Sequence, residues 1–237
     1  MKIKIYSDGA DKKSMLEMNA NPVISGLTTN PSLMKKSGVT NYREFCLDIL
    51  KDIKSKPISF EVFSDDLKEM KKQALEIKTW ADNVYVKIPI VNTKGEVTLG
   101  LIRELSQSGV KLNVTALFGF EHITKTIEAL SGGAPSIVSV FAGRIADTGR
   151  DPMPIMKVAT DICHEVRAKN KTQMEMLWAS TREVYNIVQA DQIGCDIITV
   201  PPDIIKKMSM FGRSMEEMTL DTVRTFKADS DAAGFSL

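Results

Sequence analysis

A single lysine stands inside an otherwise apolar, β-branched stretch of the chain. Lys87 is the one charged residue in the run Val84-Tyr85-Val86-Lys87-Ile88-Pro89-Ile90. Removing an ammonium group from water is costly, so a partly dry site favours the neutral amine, which can attack a carbonyl carbon. The sequence therefore makes Lys87 a candidate Schiff-base lysine. The alternative is a strand-end lysine that carries its charge out to solvent.

The composition is typical of a soluble globular protein and excludes the disordered and fibrous classes. Of the 237 residues, 43% are hydrophobic and 26% are charged. The 31 basic residues nearly balance the 30 acidic ones, which leaves a net charge of +1. We therefore expect no nucleic-acid partner and no membrane partner, and any phosphate group must be recognised locally.

The N-terminal segment and the cysteines indicate the cellular compartment in which the protein is expected. The chain begins with a strand-like segment at residues 2–6 rather than an apolar signal, and it has no run of about 18 apolar residues. We therefore expect a cytoplasmic protein. Cys46, Cys163 and Cys195 are widely separated, so they are expected to be buried free thiols, with neither a disulfide framework nor a zinc site.

Short β-branched runs alternate with helical patterns along the chain. The pattern predicts strands at about 2–7, 23–27, 58–63, 84–88, 111–115, 137–141, 174–178 and 196–200. It predicts helices at about 41–54, 64–80, 96–108, 119–130, 154–170, 181–191, 202–209 and 214–228.

This order of elements favours an α/β fold, a single (β/α)8 TIM barrel that spans residues 1–237 as one domain. The alternative is an open doubly wound sheet, but the glycine-rich dinucleotide fingerprint is absent after the first strand, where Ser7-Asp8-Gly9-Ala10-Asp11 stands. The barrel leaves an extra C-terminal helix, at about 214–228, which we expect to contact a neighbouring subunit.

Polar side chains recur at the predicted C-terminal ends of the strands, where such barrels place their reacting groups. They are Asp8, Thr28, Thr29, Asn30, Glu61, Lys87, Asn113, Thr115, Ser139, Arg144, Ser180 and Arg182. An amine, two carboxylates, several neutral hydrogen-bonding groups and two arginines at one barrel mouth suit carbonyl chemistry on a phosphorylated compound.

Several of these polar residues also have a purely structural interpretation. Asp8 and Ser180 could cap helices, and the segment 30–32 could be a simple Asn-Pro turn. Arg144 and Arg182 could be ordinary surface cations. Their convergence on one barrel mouth is what favours a functional interpretation.

Seven segments of the sequence resemble the transaldolase family, in the short-chain branch that also contains fructose-6-phosphate aldolases. The resemblance runs in order through essentially the whole chain, and its Thr-Thr-Asn-Pro and Lys-Ile-Pro motifs are specific. The segments are Tyr6-Ser7-Asp8, Gly26-Leu27-Thr28-Thr29-Asn30-Pro31-Ser32, Val86-Lys87-Ile88-Pro89, Asn113-Val114-Thr115, Gly143-Arg144-Ile145, Ala179-Ser180-Thr181-Arg182 and Gly194-Cys195-Asp196-Ile197-Ile198-Thr199.

The resemblance implies a barrel of the class I aldolase type, in which Lys87 forms a Schiff base with a ketose phosphate and no cofactor takes part. It implies that Asp8 handles the proton of a substrate hydroxyl. Glu61 would be its partner through a catalytic water, which Thr115 would help to hold. The implied substrate-binding residues are Thr28, Asn30, Asn113, Ser139 and Phe141, with Arg144, Ser180 and Arg182 on the phosphate group.

Four positions bear on whether the enzyme is a transferase or a lyase. Aldolases of the branch typically carry glutamine at the position of Glu61 and tyrosine at that of Phe141, and Asn113 and Ser139 also match the transferase pattern. The resemblance thus implies a transaldolase of the pentose phosphate pathway. It would move a dihydroxyacetone unit from sedoheptulose 7-phosphate or fructose 6-phosphate to glyceraldehyde 3-phosphate or erythrose 4-phosphate. The alternatives are a fructose-6-phosphate aldolase and a non-catalytic phosphosugar-binding barrel.

Some features depart from the family pattern. Trp178 replaces a small residue before Ala-Ser, and we expect its indole to lie near the phosphate end and to narrow or reshape the pocket. The loop 145–154 lacks the usual Asp-Gly ending, and the segment 90–96 is slightly longer than usual. Small members of the family form pentamer-based decamers, so the resemblance also implies a homo-oligomer, either a pentamer or a decamer.

Overall fold

Eight parallel strands close into a barrel within residues 1–236, the part of the chain that the computed structural model describes. Each strand pairs with the next one in sequence, and the last pairs with the first. The predicted TIM barrel is therefore confirmed. The strands are β1 (Lys4–Asp8), β2 (Ile24–Thr28), β3 (Ile58–Glu61), β4 (Val84–Pro89), β5 (Leu112–Leu117), β6 (Ser136–Val140), β7 (Met174–Trp178) and β8 (Ile197–Val200).

Helices connect the strands and follow the last one. They are α1 (Lys12–Ala20), α2 (Pro31–Lys36), α3 (Tyr42–Leu50), α4 (Leu67–Lys78), α5 (Leu99–Gln107), α6 (Phe120–Leu130), α7 (Ala142–Asp147), α8 (Met153–Asn170), α9 (Tyr185–Gln192), α10 (Pro202–Lys206) and α11 (Met215–Ala233), with a 3₁₀ helix at Lys207–Met210. Among the described residues, none of these helices combines the length and the apolar character needed to cross a bilayer.

Three helices were not predicted from the sequence: α1, α2 and α7. The last two have six residues each, which is under two turns, so no apolar period can be recognised in them. In α1 only Met15 is buried, which leaves a weak amphipathic pattern. The missed helices follow the first, second and sixth strands, so they begin near the C-terminal ends of strands that form the barrel mouth.

The barrel interior changes from apolar to polar along the strands. Tyr6, Ile137 and Ile197 belong to one buried interior cluster. Because every second side chain of a strand faces the same side, the residues two positions further on face the interior as well. These are Asp8, Ser139 and Thr199. Hydrophobic side chains thus fill the barrel interior, and polar side chains line its C-terminal mouth.

The chain divides into two compact units, the barrel Met1–Ile205 and a segment that begins at Lys206. In the second unit, α11 begins with a capping box between Ser214 and Glu217. The predicted helix at about 214–228 is therefore present. The assignment of residues 1–237 to one domain stays a prediction, and its last residue lies outside the described part.

The three cysteines agree with expectation. Cys46, Cys163 and Cys195 are free and buried in the structure. Burial raises the pKa of each thiol to about 12, so all three are protonated thiols at neutral pH.

Candidate active site

Lys87 lies inside the barrel near the C-terminal end of β4 and is only 6% exposed. Its Nζ donates a hydrogen bond of 3.0 Å to the carbonyl oxygen of Thr29 and lies 3.4 Å from Oε2 of Glu61. The strand register produces this arrangement, since Lys87 pairs with Glu61 on β3 and with Asn113 on β5. The interpretation of Lys87 as a solvent-exposed strand-end lysine is therefore wrong.

Asp8 ends β1 and faces the same mouth. The Thr28 hydroxyl donates a hydrogen bond of 2.7 Å to Oδ1 of Asp8. Burial raises the pKa of this carboxyl above its ordinary value, while the Lys87 charge and the Thr28 hydrogen bond act in the opposite direction. The helix-cap interpretation of Asp8 is wrong, because Asp11 caps α1 by accepting a hydrogen bond from the Ser14 amide.

Asn113 and Thr115 lie two residues apart on β5, so their side chains share the inner face. The Asn113 amide nitrogen donates a hydrogen bond of 3.0 Å to the Ser59 hydroxyl. Oδ1 of Asn113 and Oγ1 of Thr115 are buried and have no hydrogen-bond partner within residues 1–236. Both oxygens are therefore available to accept a hydrogen bond.

Asn30 has two roles at the end of β2. It is the N-cap of α2, since its Oδ1 accepts a hydrogen bond of 2.9 Å from the Leu33 amide, and Pro31 stands in the first helical turn. The simple-turn interpretation of the segment 30–32 is therefore wrong. The cap occupies the amide oxygen, which leaves the amide nitrogen as the donor available to a ligand.

A close contact between two connecting segments builds the other side of the mouth. A Cβ atom added to Gly143 would lie 1.6 Å from the carbonyl oxygen of Ser180, so glycine is required there. Ser180 itself has a left-handed backbone with φ of 64°. It does not cap a helix, since α9 begins only at Tyr185. The Arg144 guanidinium carbon lies 5.2 Å from the centre of the Phe141 ring.

These side chains surround one cavity of about 80 Å³ at the barrel mouth. The cavity brings together nine of the twelve predicted site residues. Its lining is Asp8, Thr28, Asn30, Lys87, Asn113, Ser139, Phe141, Arg144, Ala179, Ser180 and Thr199. Sequence reasoning missed Ala179 and Thr199 as site residues. The polar Thr199 near the end of the predicted eighth strand was a sufficient signal to find that position.

Three predicted site residues do not line the cavity. Glu61 pairs with Lys87 across β3 and β4, with a carboxylate oxygen 3.4 Å from the ammonium nitrogen, and Thr115 is buried. Arg182 instead forms an ion pair with Asp147, in which Nε lies 3.0 Å from Oδ1 and Nη2 lies 2.5 Å from Oδ2. The Arg182 hydrogen bonds hold the pKa of Asp147 below its usual range. Arg182 is thus half exposed and paired with a carboxylate, as its interpretation as a surface cation expects.

Trp178 does not narrow the cavity, so that prediction is wrong. Its neighbours Leu177 and Ala179 belong to the interior cluster of the barrel. Alternation along β7 therefore turns the indole outward, towards the helical layer, where it is fully buried. The error arose because Trp178 is adjacent to the site in sequence but lies on the opposite face of the strand.

The comparisons with known proteins identify the family of the chain. The family model described as Transaldolase/Fructose-6-phosphate aldolase matches residues 5–237. The chain belongs to this family. The resemblance seen in the sequence is therefore confirmed, and the protein is an enzyme of the transaldolase and aldolase type.

Two relatives similar in sequence are both named probable transaldolase. A "Probable transaldolase" from Methanococcus maripaludis is 33% identical over 209 residues, covering 87% of this chain and 89% of the relative. Another, from Dehalococcoides mccartyi, is 34% identical and covers 87% of this chain and 90% of the relative. A mutant flavocytochrome b2 solved with benzoylformate has a TM-score of 0.54 at 11% identity, covering 85% of this chain and 56% of that chain. This last likeness concerns the fold alone.

Proposed function

We propose that the protein is a transaldolase, which passes a dihydroxyacetone unit between sugar phosphates through a Schiff base on Lys87. One observation carries the proposal: the buried Lys87 amine shares a cavity with the Asp8 carboxyl group. Membership of the family supports carbon–carbon bond chemistry, and the names of the relatives support transfer. We place the reaction in the cytoplasm, in the pentose phosphate pathway.

The first step is the attack of the neutral Lys87 amine on the C2 carbonyl of a ketose phosphate. The resulting carbinolamine loses water to give a protonated Schiff base. Glu61 has its carboxylate 3.4 Å from the Lys87 nitrogen and can move protons during this step, either directly or through one water molecule. Thr115 supplies a free hydroxyl oxygen in the same interior. This gives Glu61 and Thr115 the roles that the family resemblance implies.

The second step breaks the bond between C3 and C4. Asp8 takes the proton of the C4 hydroxyl, the C4 aldehyde leaves, and the bonding electrons move into the Schiff base to form an enamine. A base works best when its pKa lies near the working pH. Burial moves the pKa of Asp8 upward in that direction.

The third step reverses the second with another aldehyde. The enamine carbon attacks the acceptor carbonyl, Asp8 returns its proton to the new hydroxyl, and water releases the product ketose from Lys87. Between these steps the three-carbon unit stays on the enzyme. Asn30, Asn113 and Ser139 are placed to bind its hydroxyl groups, because all three line the cavity.

The phosphate group would bind at the side of the mouth that carries Arg144 and Ser180. Both residues line the cavity, and a guanidinium group is suited to phosphate by its planar fork of donors. Arg182 lies next to this side but is engaged by Asp147. We assign Arg144 the main role in phosphate binding and Arg182 a secondary one.

Transfer is favoured over release to water by the residues next to the Schiff base. The Phe141 ring lines the cavity without a hydroxyl group that could protonate the enamine. Aldolases of the branch carry tyrosine at this position and glutamine at that of Glu61. Because the enamine then meets no phenolic acid, it persists until an acceptor aldehyde arrives.

The test is release of glyceraldehyde 3-phosphate from fructose 6-phosphate, measured with a coupled dehydrogenase. The proposal predicts that release depends on added erythrose 4-phosphate. Equal release without the acceptor would make the protein a fructose-6-phosphate aldolase. Silence in both assays, with folded protein, would contradict the proposal and favour the phosphosugar-binding alternative.

We also propose that the protein forms a homo-oligomer through α11. The helix carries exposed apolar side chains, which soluble monomers seldom display as a group. They are Met215, Leu220, Val223 and Phe226. Light scattering on the full chain should show an oligomer, pentameric or decameric, and Phe226→Glu should lower its mass. A monomeric wild-type protein would contradict this proposal.

A further inference from the structure

Two hydrogen-bonding contacts link three oxygen atoms on three neighbouring strands at the barrel mouth. Oγ1 of Thr28 lies 2.7 Å from Oδ1 of Asp8 and within hydrogen-bonding distance of Oγ1 of Thr199. The two threonines are 2% and 5% exposed, respectively. Both β2 and β8 pair with β1: Thr28 pairs with Asp8 itself, and Thr199 pairs with Tyr6, two residues before Asp8 on the same face of the strand.

Counting hydrogen atoms fixes the direction of the two hydrogen bonds. A hydroxyl group has one hydrogen to donate, and an ionised carboxylate can only accept. The hydrogen of Thr28 therefore goes to Asp8. The hydrogen between the two threonines must then come from Thr199, so Thr199 donates to Thr28 and Thr28 donates to Asp8.

We propose that Thr199 is a positioning residue for Asp8, whose hydroxyl group holds the Thr28 hydrogen on one oxygen of the carboxylate. The proposal rests on the transaldolase reaction proposed above. A hydrogen bond that Thr28 receives strengthens the one that it gives. Oδ1 of Asp8 is thereby held, and Oδ2 is left to take the proton of the substrate hydroxyl.

The surroundings allow the Thr199 hydroxyl to be tested alone. The charged groups that share the mouth with Asp8 are Lys87, Glu61 and Arg144, and they lie on β4, β3 and α7. A change at Thr199 removes none of them. The backbone carbonyl of Thr199 accepts a hydrogen bond from Thr181, and this bond does not depend on the Thr199 side chain.

The experiment compares Thr199→Val, which keeps the shape and loses the donor, with Thr199→Ser, which keeps the donor and loses a methyl group. We expect Thr199→Val to lower kcat by about tenfold and to move the acidic limb of the pH profile upward, with KM changed by less than about twofold. Thr199→Ser should stay within about twofold of wild type. Equal losses in both variants, or a wild-type pH profile in Thr199→Val, would overturn the proposal.

A second measurement does not depend on turnover. The titration of Asp8 can be followed by NMR with ¹³C-labelled aspartate, its signal being assigned by its loss in Asp8→Asn. Thr199→Val should raise the pKa of Asp8, because the Thr28 hydrogen bond to the carboxylate weakens. An unchanged titration would overturn the role of Thr199. If the pKa of Asp8 rises in Thr199→Val but the wild-type protein has no transaldolase activity, only the proposed function is overturned.

Discussion

The two sides of the barrel mouth differ in what holds them. On one side, Lys87, Asp8 and Glu61 stand on strands, and strand register and hydrogen bonds fix their positions. On the other side, Arg144 and Ser180 stand on segments that follow strands, and one close backbone contact joins them. The sheet thus fixes the groups proposed to react, whereas the groups proposed to bind phosphate stand on connecting segments, which we expect to be more adjustable.

This difference predicts different kinetic effects on the two sides. Changes among the strand residues should act on kcat, because the proposed mechanism places those groups on the reacting atoms. Changes among the residues of the connecting segments should act mainly on KM for phosphorylated substrates, because the phosphate is remote from the bond that breaks. Four variants test the comparison, from the largest expected effect to the smallest.

Lys87→Met should have the largest effect. Without the amine no Schiff base can form, so activity should fall by about 10⁴-fold or more. Borohydride reduction with fructose 6-phosphate should no longer attach substrate to the protein. Circular dichroism serves as the control for folding. Trapping that persists in this variant would place the nucleophile elsewhere.

Asp8→Asn should lower kcat by about 10²–10⁴-fold and leave the Schiff base intact, because only the cleavage step needs its carboxylate. Borohydride trapping is the readout that separates the two steps. An untrapped variant would move the role of Asp8 to an earlier step, and undiminished turnover would contradict it altogether.

The same variant makes a prediction about stability. Burial raises the folded-state pKa of Asp8, so its ionisation costs stability as pH rises through the ordinary carboxyl range. Asp8→Asn removes this cost. Its Tm should therefore rise relative to wild type as the pH increases above about 4, the ordinary pKa of an aspartate. A constant difference over this range would contradict the raised pKa.

Arg144→Ala should raise KM for fructose 6-phosphate by about 10–100-fold with a much smaller change in kcat, since hydrogen bonds to a charged group are worth about 1.5–3 kcal/mol. A non-phosphorylated donor such as fructose is the matched control, and its poor turnover should not change. If Arg144→Ala lowers kcat and leaves KM unchanged, the proposed difference between the two sides of the mouth is contradicted.

Asp147→Asn should have the smallest effect, and it should lower KM where Arg144→Ala raises it. The change weakens the ion pair that holds Arg182, so KM for phosphorylated substrates should fall by no more than about fivefold. The lowered pKa of Asp147 means that wild type keeps this pair at all pH values above the ordinary carboxyl range and loses it only in acid. A rise in KM would show that Arg182 binds phosphate from its paired position.

The sequence predicted the strand side of the mouth well because its signals are periodic. Alternating β-branched runs locate the strands, and polar residues at their ends then locate Lys87, Asp8 and Asn113. The same rule, applied to the eighth strand, would also have found Thr199.

The connecting segments were predicted less well, for physical reasons. The six residues of α7 are too few to show a helical period. The left-handed backbone of Ser180 and the ion pair between Arg182 and Asp147 depend on how two separate segments meet. Trp178 shows the converse error, because adjacency in sequence suggested a role that strand alternation rules out.

The most direct test of the account is to locate the trapped carbon unit on the wild-type protein. The enzyme would be mixed with fructose 6-phosphate, the Schiff base would be reduced with borohydride to a stable secondary amine, and the peptides would be sequenced by mass spectrometry. The account predicts a reduced three-carbon adduct on Lys87, with glyceraldehyde 3-phosphate released in equal amount. An adduct on another lysine, or no adduct on folded protein, would contradict it.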